Sequence, residues 1–193
     1  MTSNIKGQNQ PITLDNIMSV PDHTEIVDGE LREKPVAGYI HALVITHLMY
    51  IIGNYVRAQQ LGACYADGLT YILHVDDNDV PRTRIPDFSF MRRGALPQFD
   101  KRRPVPAAPT LAVEVVSASE SAAELNDKIN DYLTYGAEAV WVIYPEAQKL
   151  HVHQPNSKTI TVYEADDTLQ DEALLPGLSV TIRDLFADED ADA

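Results

Sequence analysis

Few architectures accommodate the pattern in residues 111–144. The stretch 111–116 (LAVEVV) is an apolar run broken by one charge, and 139–144 (AVWVIY) is a second apolar run ended by Pro145. Such runs predict strands buried on both faces. Between them Ser119 is placed to cap a helix over 120–135, with Ala122, Leu125, Ile129, Tyr132 and Leu133 as its apolar stripe and Gly136 as its stop. Strand, helix and strand in this order form a βαβ unit.

The flanks extend this unit. Residues 24–31 (TEIVDGEL) alternate around Asp28-Gly29, a hairpin signal. Apolar residues from Ile40 to Val56 recur at steps of three and four, which predicts an amphipathic helix over 37–61. Strands are expected at 70–75 and 85–91, and a proline-rich loop over 94–109. A hairpin of 150–152 with 159–163 turns at Pro155-Asn156, and 178–186 closes the chain. The expected fold is α/β, with a mixed central sheet flanked by helices. One domain over 13–186 is expected, with a loose leader (1–12) and an acidic tail (187–193).

With 193 residues, 45% of them hydrophobic, the chain is long enough to bury a substantial core. Cys64 is the single cysteine, which excludes an intrachain disulfide and a four-cysteine zinc site. The first residues lack the apolar segment of a signal peptide, and the longest apolar stretch, 40–52, is interrupted by His41, Thr46 and His47. A cytoplasmic protein that does not span a membrane is expected.

The net charge is −14, so the molecule as a whole does not attract nucleic acid. Seven of the 15 Lys and Arg residues nevertheless lie between Arg82 and Arg103. Two readings stay open: a solvated loop balancing acidic neighbours, or a phosphate-contact surface carried by Arg92, Arg93, Lys101, Arg102 and Arg103.

Glu114 stands where a charge is costly, because an unpaired buried carboxylate loses several kcal/mol, roughly, or stays protonated. An arginine or backbone amides could satisfy it; alternatively it could serve as a metal ligand or acid/base. Asp87, directly after Pro86, opens the preceding strand, and Glu124, Lys128, Asp131 and Tyr135 share one face of the helix. Two carboxylates on adjacent strands suit a hard cation such as Mg²⁺ that keeps waters and shares its site with a phosphate. Lys128 either pairs on the surface with Glu124 or reaches the carboxylates to stabilise charge on phosphorus. His151 and His153 share a strand face but lack a third ligand, and no P-loop, dinucleotide motif or nucleophile elbow is present.

Pro86-Asp87 and Glu114 followed by Val115-Val116-Ser117 resemble the motif of the PD-(D/E)XK nuclease superfamily. More narrowly, residues 25–31, 86–90, 109–117 and 124–128, the last continuing through Tyr132, Gly136, 140–142 and Pro145, are similar to the Uma-type family, described as putative restriction endonucleases. The resemblance covers roughly residues 20–186. It implies a restriction-endonuclease-like core, with Asp87, Glu114 and the backbone carbonyl of Val115 holding Mg²⁺ or Mn²⁺. In the superfamily a lysine follows two residues after the glutamate, where this chain has Val116; the Uma-type pattern moves it to the helix, at Lys128. His41 matches a family histidine, and with Glu124 it is a candidate accessory residue. The resemblance implies a metal-dependent DNA endonuclease, with DNA and a second copy of the chain as expected partners. The rival is a DNA-binding or assembly module on the same fold with little or no catalysis.

Overall fold

The structure, a computed structural model, describes residues 12–188. All but the last residue of the expected leader and most of the acidic tail lie outside these residues. Six strands build the central sheet in the order β10-β9-β8-β7-β6-β3. They are β3 (Gly62–Ala66), β6 (Phe88–Arg92), β7 (Leu111–Val115), β8 (Ala139–Tyr144), β9 (Lys149–His153) and β10 (Thr161–Tyr163). The β7–β8 pair is parallel and the other neighbours are antiparallel, so the sheet is mixed. The two expected apolar strands sit at its centre, buried on both faces.

Helices cover the two faces. Helix α1 (Tyr39–Ala58) lays Val44, Leu48, Ile52 and Val56 on the face that also receives Phe88, Phe90, Val113 and Trp141. These four residues are spaced by four, and an α-helix advances about 40° beyond a full turn at each such step. The helix widens into a π-turn at Met49–Gly53, which takes back part of that drift and keeps the stripe against the sheet. With 20 residues and a mean hydropathy of 1.3, α1 is long and apolar enough to cross a membrane; its stripe is spent on the core.

Helix α2 (Ala122–Thr134) packs Leu125, Ile129 and Tyr132 on the opposite face, against Ala112, Val140 and Val142. Its cap is Ser121, not the expected Ser119. Ser121 accepts from the Glu124 backbone, and the Glu124 side chain accepts from the Ser121 N–H. Of the two, Ser121 has a glutamate three residues ahead and Ser119 an alanine, so Ser121 closes this reciprocal box.

Smaller pairs surround the sheet: the hairpin β1 (Thr24–Val27) with β2 (Glu30–Glu33), β4 (Tyr71–Val75) with β5 (Pro81–Arg84), and β11 (Thr168–Leu169) with β12 (Val180–Thr181). Asp28 and Gly29 both take positive φ at the first hairpin, as its sequence predicts. Strand β3 was not anticipated, because its residues (GACYA) carry no strong alternation. It is held by register, Ala63 opposite Met91 and Ala66 opposite Phe88. Its first residue has no room for a side chain: a Cβ on Gly62 would lie 2.0 Å from the Met91 carbonyl oxygen. Gly62→Ala is therefore expected to lower unfolding free energy in urea by at least about 2 kcal/mol. A change within about 0.5 kcal/mol would show that this sheet edge is free to shift.

Candidate active site: two carboxylates and two lysines

Asp87 and Glu114 meet at one end of the sheet. Phe88 pairs with Val113, so one further step brings Asp87 beside Glu114. Alternation puts both on the face of α2: Glu114 goes with Ala112, and Asp87 with Met91. Both are buried, Glu114 at 1% exposure and Asp87 at 3%.

Each carboxylate has its own lysine. Glu114 accepts from Lys128 Nζ (2.9 Å, on Oε2) and from Tyr132 Oη (2.8 Å, on Oε1). Lys128 and Tyr132 are one helical turn apart on α2, so one helix face presents both donors. Lys128 also pairs with Glu120 at 2.8 Å. The expected approach of Lys128 to the carboxylates is thus observed, and the surface pair with Glu124 is not. Glu124 is exposed and caps its own helix.

Asp87 is held by residues that precede the sheet. Lys34 Nζ donates to its Oδ1 at 2.8 Å, and His41 Nε2 lies 3.1 Å from its Oδ2. The Val115 N–H donates to the same Oδ2 at 2.7 Å. The Val115 N–H thus helps position Asp87, while the Val115 carbonyl is the group expected at a metal. Lys34 went unnoticed in the sequence, since a lysine before Pro35 reads as an ordinary linker cation. His41 contacts Asp87 from the first turn of α1, and its Nδ1 is buried with no hydrogen-bond partner among the described residues.

Burial raises the Asp87 carboxyl, but the hydrogen bond with His41 and the charge of Lys34 outweigh it and hold it well below the usual carboxylate range. Glu114 moves the other way. Burial raises it, the Asp87 charge raises it further, and Lys128 only partly offsets them. Lys128 is held above its ordinary value: burial opposes its charge, and Glu114, Glu25 and Glu120 outweigh burial. Burial and the adjacent Glu114 keep the Tyr132 hydroxyl protonated.

A second buried layer fixes α2 in place. Arg84, 2% exposed, joins Glu25 Oε2 (2.8 Å) to Asp131 Oδ2 (2.6 Å), and Arg82 adds Asp28 and the other Asp131 oxygen. Asp131 directly precedes Tyr132, so this clamp sets the height of Tyr132 and Lys128 above Glu114. Two of the seven clustered cations are therefore internal counter-ions. The remainder divides further. Arg92 closes the strand that Asp87 precedes, about 15 Å away along it, and pairs with Glu138. Arg93 reaches Gln60. Lys101, Arg102 and Arg103 line a cleft of about 360 Å³ with His23, Thr24, Gly68 and Leu69. His23 also lies 3.9 Å from Asp67, which Lys34 binds, but neither Asp87 nor Glu114 lines this cleft.

Residues 16–183 match the family model Uma2, described as "Putative restriction endonuclease". The chain belongs to that family. A crystal structure of a putative nuclease belonging to DUF820 from Anabaena variabilis ATCC 29413 superposes with a TM-score of 0.75, at 23% identity, over 91% of this chain and 98% of that one. No curated protein matches the chain. The core is restriction-endonuclease-like, as expected, and family membership supports a nuclease-like activity.

Families of this kind commonly use divalent metals. Among the described residues no three His, Cys, Asp or Glu side chains converge as a ligand cluster, so a metal here would rest on Asp87 and Glu114 with water. The local charge suits one. Four carboxylates (Asp67, Asp87, Glu114, Glu120) face Lys34, Lys128 and His41, which are three cations at most. Burial is the main cause of the upward shift of Glu114, and the Asp87 charge adds to it. A donor set of carboxylate oxygens short of positive charge fits a hard cation.

The clamp can be tested directly. Arg84→Met strands Glu25 as a buried charge and leaves Asp131 to Arg82 alone, and unfolding free energy should fall by about 3–5 kcal/mol. Adding Glu25→Gln and Asp131→Asn to Arg84→Met should recover much of that loss. A single-variant loss under about 1 kcal/mol would show that α2 is held by its apolar face alone.

Proposed function

We propose that the protein is a metal-dependent endonuclease that hydrolyses DNA phosphodiesters, with Asp87 and Glu114 holding Mg²⁺ or Mn²⁺ and Lys128 acting beside them. The observation that carries this reading is Lys128 Nζ at 2.9 Å from a fully buried Glu114, on the sheet face that Asp87 shares. The bound cation would polarise the phosphodiester and lower the pKa of a bound water.

The chain's own residues supply the rest. An ammonium has three N–H groups. Lys128 directs one to Glu114 and one to Glu120, which leaves one for a water or a phosphate oxygen. Its elevated pKa keeps that donor charged as negative charge builds on phosphorus. Tyr132 orients the Glu114 carboxylate from the far side. His41 and the Val115 N–H fix Asp87 Oδ2. DNA runs over the cleft of Lys101, Arg102 and Arg103. Among the described residues the side chains of Lys101 and Arg102 have no carboxylate partner, and the Arg103 guanidinium donates to the Leu14 carbonyl. Arg92 and Arg93, at the far end of β6, lie off this path.

One observation favours the rival, a binding module without catalysis. Every oxygen of Asp87 and Glu114 already accepts a hydrogen bond or ion pair, so a metal must use the remaining lone pairs.

A nicking assay on supercoiled plasmid with Mg²⁺ or Mn²⁺ separates the two. Wild type should nick; Glu114→Ala and Lys128→Ala should lose rate by orders of magnitude while circular dichroism reports a folded chain; Glu124→Ala should nick normally. Metal-dependent binding of DNA without nicking would establish the rival. In a binding titration, replacing Lys101, Arg102 and Arg103 with Ala should weaken affinity and flatten the salt dependence by about one slope unit per lost contact. An unchanged slope would remove the cleft from the DNA path.

A further inference from the structure

The two lysines of the acid centre are used differently. Lys128 keeps an N–H free, whereas Lys34 has none to spare. Its Nζ lies 2.6 Å from Asp67 Oδ1, 2.8 Å from Asp87 Oδ1 and 2.9 Å from the Ile85 carbonyl oxygen. Three protons meet three oxygens in a pocket where the lysine side chain is only 9% exposed. With every proton committed and little access to solvent, Lys34 is not poised to touch substrate.

The surroundings of that ammonium are those of a hard metal ion. Such ions take carboxylate and backbone carbonyl oxygens, and Lys34 is caged by two carboxylates and one carbonyl. The cage is rigid on both sides. The Ile85 N–H donates to Glu25, which Arg84 holds, and Pro86 follows Ile85. Asp87 is moreover shared: Oδ1 serves Lys34, while Oδ2 faces His41 and Val115. A carboxylate divided between two positive centres is how two-metal phosphodiester sites are organised, with their ions about 3.5–4 Å apart.

We propose that Lys34 is a built-in cation: its ammonium fills, through Asp67, Asp87 and Ile85, the position a second metal ion would take. The centre accordingly binds one fewer divalent cation than its carboxylates could hold. Lys34 is a positioning residue, fixing the charge and direction of Asp87 without consuming a metal. This inference rests on the acid pair being the cation site proposed above, but its test does not depend on cleavage.

The experiment counts Mn²⁺ bound by the full chain, from the free-ion signal in electron paramagnetic resonance. Removing the ammonium should open the cage, so Lys34→Ala should bind one Mn²⁺ more than wild type. Lys34→Ala combined with Asp67→Asn should return to the wild-type count, and Lys34→Arg, which keeps a cation in place, should not gain a site. A role limited to folding would not raise the count. Lys34→Ser, which leaves the carboxylates a hydroxyl donor, serves as the second variant if Lys34→Ala does not fold. Equal counts in wild type and the folded truncation overturn the proposal. If wild type binds no Mn²⁺ and the truncation binds one, the Asp87–Glu114 metal site fails and Lys34 fills a first cation position, which overturns the proposal of a second. If both bind one, the metal site stands and the built-in cation does not.

Discussion

A carboxylate in the middle of a buried strand is the constraint around which this molecule is organised. Glu114 has no access to water, and leaving it unpaired would cost several kcal/mol, roughly. Compensation has to come from outside β7. It comes from α2, which the crossover to the parallel strand β8 obliges to pass over this face of the sheet. One helical turn delivers a cation and a hydroxyl, Lys128 and Tyr132, to the two oxygens. The βαβ unit is therefore both the structural centre of the fold and the means by which Glu114 is tolerated.

That solution creates a further demand. Lys128 must not slide along β7, since the pairing depends on contacts of about 3 Å. The Arg84 clamp meets this demand by tying Asp131, next to Tyr132, to Glu25 on β1 and to β5. The polar layers form a sequence: the acid pair, the lysines and tyrosine that hold it, then the arginines that hold α2. Buried ion pairs are weak sources of net stability. Their role here is to fix geometry, and the apolar clusters on the two faces carry the burial.

The sequence made the βαβ unit, the hairpins β1–β2 and β9–β10, Asp87, Glu114 and the approach of Lys128 legible, because each rests on local pattern or on a charge within an apolar run. Family resemblance supplied His41. What was not legible depends on tertiary placement. Lys34 precedes a proline in a polar stretch, and nothing local says that it folds back on Asp87. Arg84 was grouped with Arg82 through Arg103 by proximity along the chain. Strand alternation and the chain reversal after β6 send these residues to three different places: a buried clamp, a far strand end and a cleft. Glu25 stood in a recognisable segment, yet its partner lies 59 residues away. Glu124 sits one helical turn before Lys128, but the capping box engages it, and Glu120, ahead of the helix cap, takes the lysine instead.

The π-turn in α1 has a consequence for how this helix can vary. His41 meets Asp87 near one end of the helix, and Val56 packs into the core near the other, with the widened turn between them. The turn works as a phase adjuster. Losing one residue from 49–53 would rotate one end against the other by about 100°. Either His41 would swing off Asp87 or the second half of the stripe would turn out of the core. Helix length is thereby tied to the acid centre, so an insertion or deletion in a stretch that looks like plain amphipathic helix would register as a change in chemistry several turns away.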